Sequence, residues 1–78
     1  MELDGKLIKR DGHDYLKEAL NFPDYYGKNL DALYDCLCEI GIETDITLIN
    51  SGCVSQDIID TFIDASTENE LLNFKCEF

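Results

Sequence analysis

Residues 22–37 read FPDYYGKNLDALYDCL, and the rest of the fold is built outward from this stretch. Pro23 blocks extension of the preceding segment, Gly27 supplies a flexible turn position, and Asn29 is a favoured N-cap for a helix starting at Leu30. The pattern predicts a helix over about 29–40. On a 3.6-residue repeat, Leu30, Leu33, Leu37 and Ile40 form one apolar stripe, Asp31 and Asp35 lie on the far side one turn apart, and Tyr34 sits on the flank between them. Like charges at that spacing cost an isolated helix roughly 0.2–0.5 kcal/mol. Asp31 regains part of this from the macrodipole, but Asp35, a poor helix former at mid-helix, does not. A plain solvated face would account for the two acids alone. Tyr25, Tyr26 and Tyr34 beside them favour a recognition surface, in which rigid amphipathic anchors stand next to charge.

On the N-terminal side, MELDGKLI alternates weakly and predicts a strand over about 1–7. Asp11 can cap a helix carrying Tyr15, Leu16, Ala19 and Leu20, which must stop by Phe22 because Pro23 follows. On the C-terminal side, Gly41 ends the motif helix and the β-branched run DITLIN predicts a buried strand over 45–50. Gly52 marks a turn. Ser55 caps a second amphipathic helix reaching about residue 67, with Val54 and Ile59 at staple spacing and Ile58, Ile59, Phe62 and Ala65 inward. LLNFKCEF, residues 71–78, alternates as a strand with Leu72, Phe74, Cys76 and Phe78 on one side. The order is β-α-α-β-α-β, and right-handed crossovers then give a small three-stranded parallel sheet packed by about three helices, an α/β fold. Residues 1–78 form one domain, with no repeat, linker or low-complexity tract.

Seventy-eight residues bury only about 60% of their unfolded surface, so stability is marginal, although 45% apolar residues suffice for a core. Seventeen acids against six bases give a net charge of −11, and three of the bases, Lys6, Lys9 and Arg10, cluster near the start. Such a field repels nucleic acid and anionic membrane while it speeds encounter with a basic partner. Direct RNA or DNA binding is therefore not expected. A chain that binds an RNA-binding protein fits the sign.

No charged segment followed by an apolar core opens the chain and no run spans a bilayer, so a cytoplasmic location without membrane contact is expected. In a reducing compartment Cys36, Cys38, Cys53 and Cys76 remain free thiols. Cys36 and Cys38 lie about 200° apart around one helix and cannot chelate a metal together. His13, the sole histidine, reads as an ordinary surface residue in the first turn of its helix. Asp31 and Asp35 could hold Mg²⁺ or Ca²⁺, but two carboxylates without further oxygen ligands make a poor site. With no positioned base, acid or metal, neither enzyme activity nor a cofactor is expected.

The motif FPDYYGKNLDALYDCL resembles the signature of the barstar family, intracellular inhibitors of secreted bacterial ribonucleases. The likeness is dense over the paired tyrosines, the glycine, the Asn-Leu-Asp-Ala-Leu run and the Asp-Cys-Leu ending. It implies a three-stranded parallel sheet with helices on it, and a loop and helix that plug a ribonuclease active site. Carried over residue by residue, Tyr25 matches the tyrosine near the enzyme's catalytic histidine, and Tyr26 completes the pair. Gly27 and Asn29 match the loop that meets the enzyme, and Asp31 the acid that pairs with a basic residue. Asp35 matches the central acid in the phosphate subsite. Tyr34 stands where the type member has tryptophan, and Asp64 corresponds to a further acid on the last helix, within the row Asp57, Asp60 and Asp64. The segment before that helix is shorter than in the type member, which implies that an extra short helix is missing. The resemblance implies a basic ribonuclease or nuclease-toxin domain as partner, an immunity or antitoxin role, and a monomer when free. The alternative is an acidic interaction module for a basic partner that is not a ribonuclease.

Overall fold

The computed structural model describes residues 1–77, so the expected place of Phe78 on the last strand lies outside the described residues. Three strands, β1 (Glu2–Asp4), β2 (Thr44–Ile49) and β3 (Leu72–Cys76), form one parallel sheet in the order β1-β2-β3. Leu3 pairs with Leu48 and Leu48 with Cys76, while Ile46 pairs with Phe74, so the apolar positions of neighbouring strands line up on one face. On β2 the alternation is plain: Ile46 and Leu48 are buried and Asp45 is exposed. The parallel three-stranded sheet and its helical cover agree with the architecture expected from the sequence.

The N-terminal strand is shorter than expected. It stops at Asp4, and residues 5–7, expected at the end of the strand, belong to helix α1 (Gly5–Asp11). The reason is tertiary. Asp4 Oδ1 accepts from the Lys6 backbone N–H at 2.9 Å and from Asn50 Nδ2 at 3.0 Å, which caps α1 and ties its start to the end of β2. Gly5 lies so close that a Cβ there would stand 2.1 Å from the Asn50 carbonyl oxygen. Asp11, expected as a helix cap, is the last residue of α1 and pairs with Arg10 at 3.0 Å. Gly12, at φ 60°, joins α1 to α2 (His13–Leu20) instead.

Helix α2 buries Leu16 and packs Tyr15, Ala19 and Leu20 against the core, then ends at Asn21 in the left-handed region, two residues before Pro23. Helix α3 (Leu30–Cys38) starts at the expected cap: Asn29 Oδ1 accepts from the Ala32 N–H at 2.8 Å. Leu33 and Leu37 are fully buried, but Leu30 is 37% exposed and Ile40 lies beyond the helix end, so the inward stripe is narrower than the repeat predicts. A single 3₁₀ turn, Ser51–Cys53, connects β2 to α4 (Gln56–Glu68). Ser55 occupies the N-cap position of α4 without a side-chain cap bond, whereas Val54 is buried and Ile59 packs against the same core, as a staple requires. Phe62 and Ala65 are fully buried, and Phe62 stacks on Phe74 of β3 at 4.9 Å between ring centres. Full burial of a side chain such as Phe62 contributes on the order of 2–3 kcal/mol.

Candidate protein-binding surface

The loop between α2 and α3 is organised by one buried aromatic. The Tyr26 N–H donates to the Pro23 carbonyl at 3.0 Å, a turn that drives the Tyr26 ring inward, where it is 5% exposed and packs on Phe22 at 4.8 Å. Its hydroxyl meets His13 Nδ1 at 2.6 Å. Burial, with a smaller contribution from Cys36, pushes the Tyr26 phenol up to about 12. Tyr26, expected on the contact surface, is a core residue by burial and reaches the surface only where it lines a groove beside Tyr25. Tyr25, its neighbour in sequence, is 82% exposed. His13, read from the sequence as an ordinary surface residue, is the hydrogen-bond partner of this core tyrosine, and burial lowers its pKa against the opposing pull of Asp14.

Two ion pairs accompany that contact, Lys28 Nζ with Asp14 at 2.7 Å and Lys17 Nζ with Asp24 at 3.3 Å. Between Pro23 and α3 the left-handed residue is Lys28, at φ 53°, and not Gly27. That conformation costs a side-chain-bearing residue roughly 1–2 kcal/mol. Gly27 answers a different need, since a Cβ there would crowd the Asn29 amide at 3.3 Å. The same amide donates to the Gly27 carbonyl at 3.2 Å while its oxygen caps α3, so both ends of the exposed Asn29 side chain are engaged within the loop.

Beyond the loop, α3 forms a ridge. Asp31 and Asp35 are exposed, and among the described residues neither enters an ion pair: the pairs present are Arg10 with Asp11, Lys17 with Asp24 and Lys28 with Asp14. On one side of the ridge a shallow open groove is lined by Tyr25, Tyr26, Gly27, Asp35, Cys36 and Glu39. On the other side Tyr34, Asp64, Thr67 and Glu68 line a second, where α3 lies against α4. Cys38, one turn on, then desolvation, and last Glu68 and Asp64 across the groove hold the Tyr34 phenol above its usual range. Within the acidic row on α4, Asp60 accepts from Gln56 Nε2 at 2.9 Å, whereas Asp64 faces the Tyr34 groove. The expected residues thus fall into two groups about one helix, Tyr25, Gly27 and Asp35 on one side and Tyr34 and Asp64 on the other, with Asn29 and Asp31 at the helix start.

Asn69 is a structural contributor that the sequence reading passed over. From the end of α4 its Nδ2 donates to the carbonyls of Leu37 and Ile40, each at 3.0 Å, and of Cys38 at 3.3 Å. It thereby satisfies the open C-terminus of α3 and sets that helix against α4. No local pattern announces this, because the partners lie 29–32 residues away. Among the described residues no three histidine, cysteine or acidic side chains converge on a metal-sized site. All four cysteines are unpaired and half-buried, and among the described residues no helix is long and apolar enough to cross a membrane.

Comparison with known proteins finds a family model and a curated relative among its matches. The family model described as Barstar (barnase inhibitor) matches residues 1–78. A Bacillus subtilis (strain 168) protein named "Putative ribonuclease inhibitor YrdF" is 38% identical over 65 residues, a match covering 72% of this chain and 70% of the relative.

Proposed function

This chain belongs to the barstar family, and from that premise we propose that it is a protein inhibitor that binds a basic ribonuclease and closes its active site with the α3 ridge. The observation that carries the reading is the state of Asp31 and Asp35. Both stand exposed on a rigid helix while every ion pair among the described residues uses other acids. A site that cleaves RNA must gather cationic groups around the scissile phosphate, and a preorganised carboxylate can occupy that position in place of substrate.

Asp35 is the phosphate mimic in this scheme, at the centre of the ridge and at the edge of the Tyr25 groove. Asp31 and Asp64 extend the negative rim. Tyr25 and Tyr34 pack over the flanks of the enzyme's cleft and exclude water, which strengthens each charge contact. At 4 Å and an effective dielectric of about 20, one such pair gains roughly 4 kcal/mol before desolvation is subtracted. The net charge of −11 adds long-range attraction toward a basic enzyme and speeds encounter. Tyr26 and Asn29 act from within, the first by anchoring the loop and the second by capping the helix. The action is stoichiometric occlusion, and it suits a cytoplasmic immunity or antitoxin protein that protects the cell producing the nuclease.

The test is a titration of the purified protein into a panel of small basic ribonucleases, with residual RNA cleavage as readout. Loss of activity at one equivalent of inhibitor for a member of the panel supports the reading. Full activity across the panel overturns it in favour of an interaction module for another basic protein.

A further inference from the structure

Loop 21–29, which carries Tyr25 and Gly27 outward, makes little regular structure of its own, yet three of its side chains are held by one helix. Three residues of α2 hold it: His13 meets Tyr26, Asp14 meets Lys28 and Lys17 meets Asp24. They stand at spacings of one and four, so one side of α2 lies along the loop like a splint. The three contacts are not equal. Both ion pairs join exposed or half-exposed chains, and such pairs add little in water. The His13 contact is different in kind, because Tyr26 is 5% exposed and its hydroxyl meets the His13 imidazole.

We infer that His13 is a positioning residue for the recognition loop: by holding the hydroxyl of buried Tyr26 it fixes the outward pose of Tyr25 and Gly27 without touching the partner. If the imidazole is lost, the Tyr26 hydroxyl is left in the core without an acceptor or donor, and the ring gains by turning toward water. Adjacent Cα atoms are 3.8 Å apart, so movement of Tyr26 is passed directly to Tyr25 and Gly27. The strained Lys28 lies two residues further on and is released with them. A loop that is correctly posed for only part of the time binds more weakly in proportion to that fraction. The binding half of this inference rests on the inhibitor reading; the ordering half concerns the free protein alone.

The experiment uses the full chain, free in solution, with backbone ¹⁵N relaxation and relaxation dispersion measured for wild type, His13→Ala, His13→Asn and Tyr26→Phe. Asparagine places a polar atom where imidazole has Nδ1, so it can still meet the hydroxyl. In His13→Ala loop residues 24–28 are expected to fall to order parameters below about 0.6 or to show millisecond exchange, whereas Tyr26→Phe, which keeps the ring and removes the hydroxyl that would be stranded, leaves the loop ordered. Residues 31–37 of α3 stay near 0.85 in all four proteins. His13→Asn keeps the loop ordered. A change confined to global stability, with the loop as ordered as in wild type in His13→Ala, overturns the inference, as does an Asn variant no better than Ala or a Phe variant as disordered as Ala. Against a ribonuclease inhibited by wild type at one equivalent, His13→Ala is expected to weaken binding about tenfold and His13→Asn less than about threefold. Should no ribonuclease be inhibited, the relaxation measurements still decide the ordering role, so the two failures are told apart.

Discussion

Replacing Asn69 by alanine removes the clamp that joins the end of α3 to the end of α4, and its cost follows from the contacts. The amide has two N–H groups for three carbonyls, so the two 3.0 Å bonds, to Leu37 and Ile40, carry most of the energy and the 3.3 Å bond to Cys38 shares a hydrogen. Each net bond contributes about 1 kcal/mol, and the abandoned carbonyls are half-buried, so water replaces only part of what is lost. The Leu71 N–H bonded to Asn69 Oδ1 at 3.0 Å is exposed and recovers through solvent. The sum is about 2 kcal/mol, roughly a quarter of the stability of a domain this size. It lowers Tm by about 8–16 °C, measured by thermal circular dichroism, with the urea m-value unchanged because the folded surface is the same. Asn69→Asp sharpens the test: a carboxylate still accepts from Leu71 but turns oxygen toward oxygen at α3, so it destabilises at least as much as alanine. A drop below about 3 °C in Asn69→Ala, or an Asp variant more stable than the Ala variant, would refute the clamp.

Three further outcomes are expected. Asp35→Ala weakens binding to a confirmed ribonuclease by about 2 kcal/mol or more, the scale of an interface hot spot, while mutation of the remote Glu77 mainly slows association; calorimetry with an unchanged affinity for Asp35→Ala would remove it from the centre of the site. Gly5→Ala forces a Cβ to within 2.1 Å of the Asn50 carbonyl oxygen, where only backbone can give way. That costs about 3 kcal/mol, and a variant as heat-stable as wild type would contradict so close an approach. Burial depresses the His13 pKa from 6.5, so the unfolded chain takes up that proton first as pH falls. The His13 contribution is therefore complete above about pH 6.5 and declines as pH drops through the lower, folded value. Urea midpoints taken across this range should fall in wild type and stay level at this step in His13→Asn. Asp4 and Asp14, whose pKa values are lowered first by hydrogen bonds to Asn50 and Lys28, respond only at more acid pH, where protonation removes their contribution.

Elements whose rules are local could be read directly. Asn29 caps α3 because the residue type and its distance to Ala32 are set within three positions, and Leu33 with Leu37 fall inward because their spacing matches the helical turn. The alternation in β2 and β3 was legible for the same reason. At the N-terminus the local signal misled: the weak alternation of residues 1–7 lost to a helix whose start depends on Asn50, forty-six positions away from Asp4. Leu30 satisfies the apolar repeat yet remains exposed, because it occupies the first turn of α3, before the face covered by the core.

The charge of the chain, its amphipathic α3 and the placement of Asp31 and Asp35 opposite the apolar stripe are consequences of composition and helical period, and the chain order of residues alone determines them. Which of two adjacent tyrosines faces the solvent is another matter. Tyr25 and Tyr26 are chemically identical, and only the packing of Phe22 and the imidazole of His13 draw the second inward. The same holds for Asn69, whose acceptors belong to a different helix. Periodicity is a property of neighbours along the chain, whereas a buried hydrogen bond depends on groups that meet only once the chain has folded.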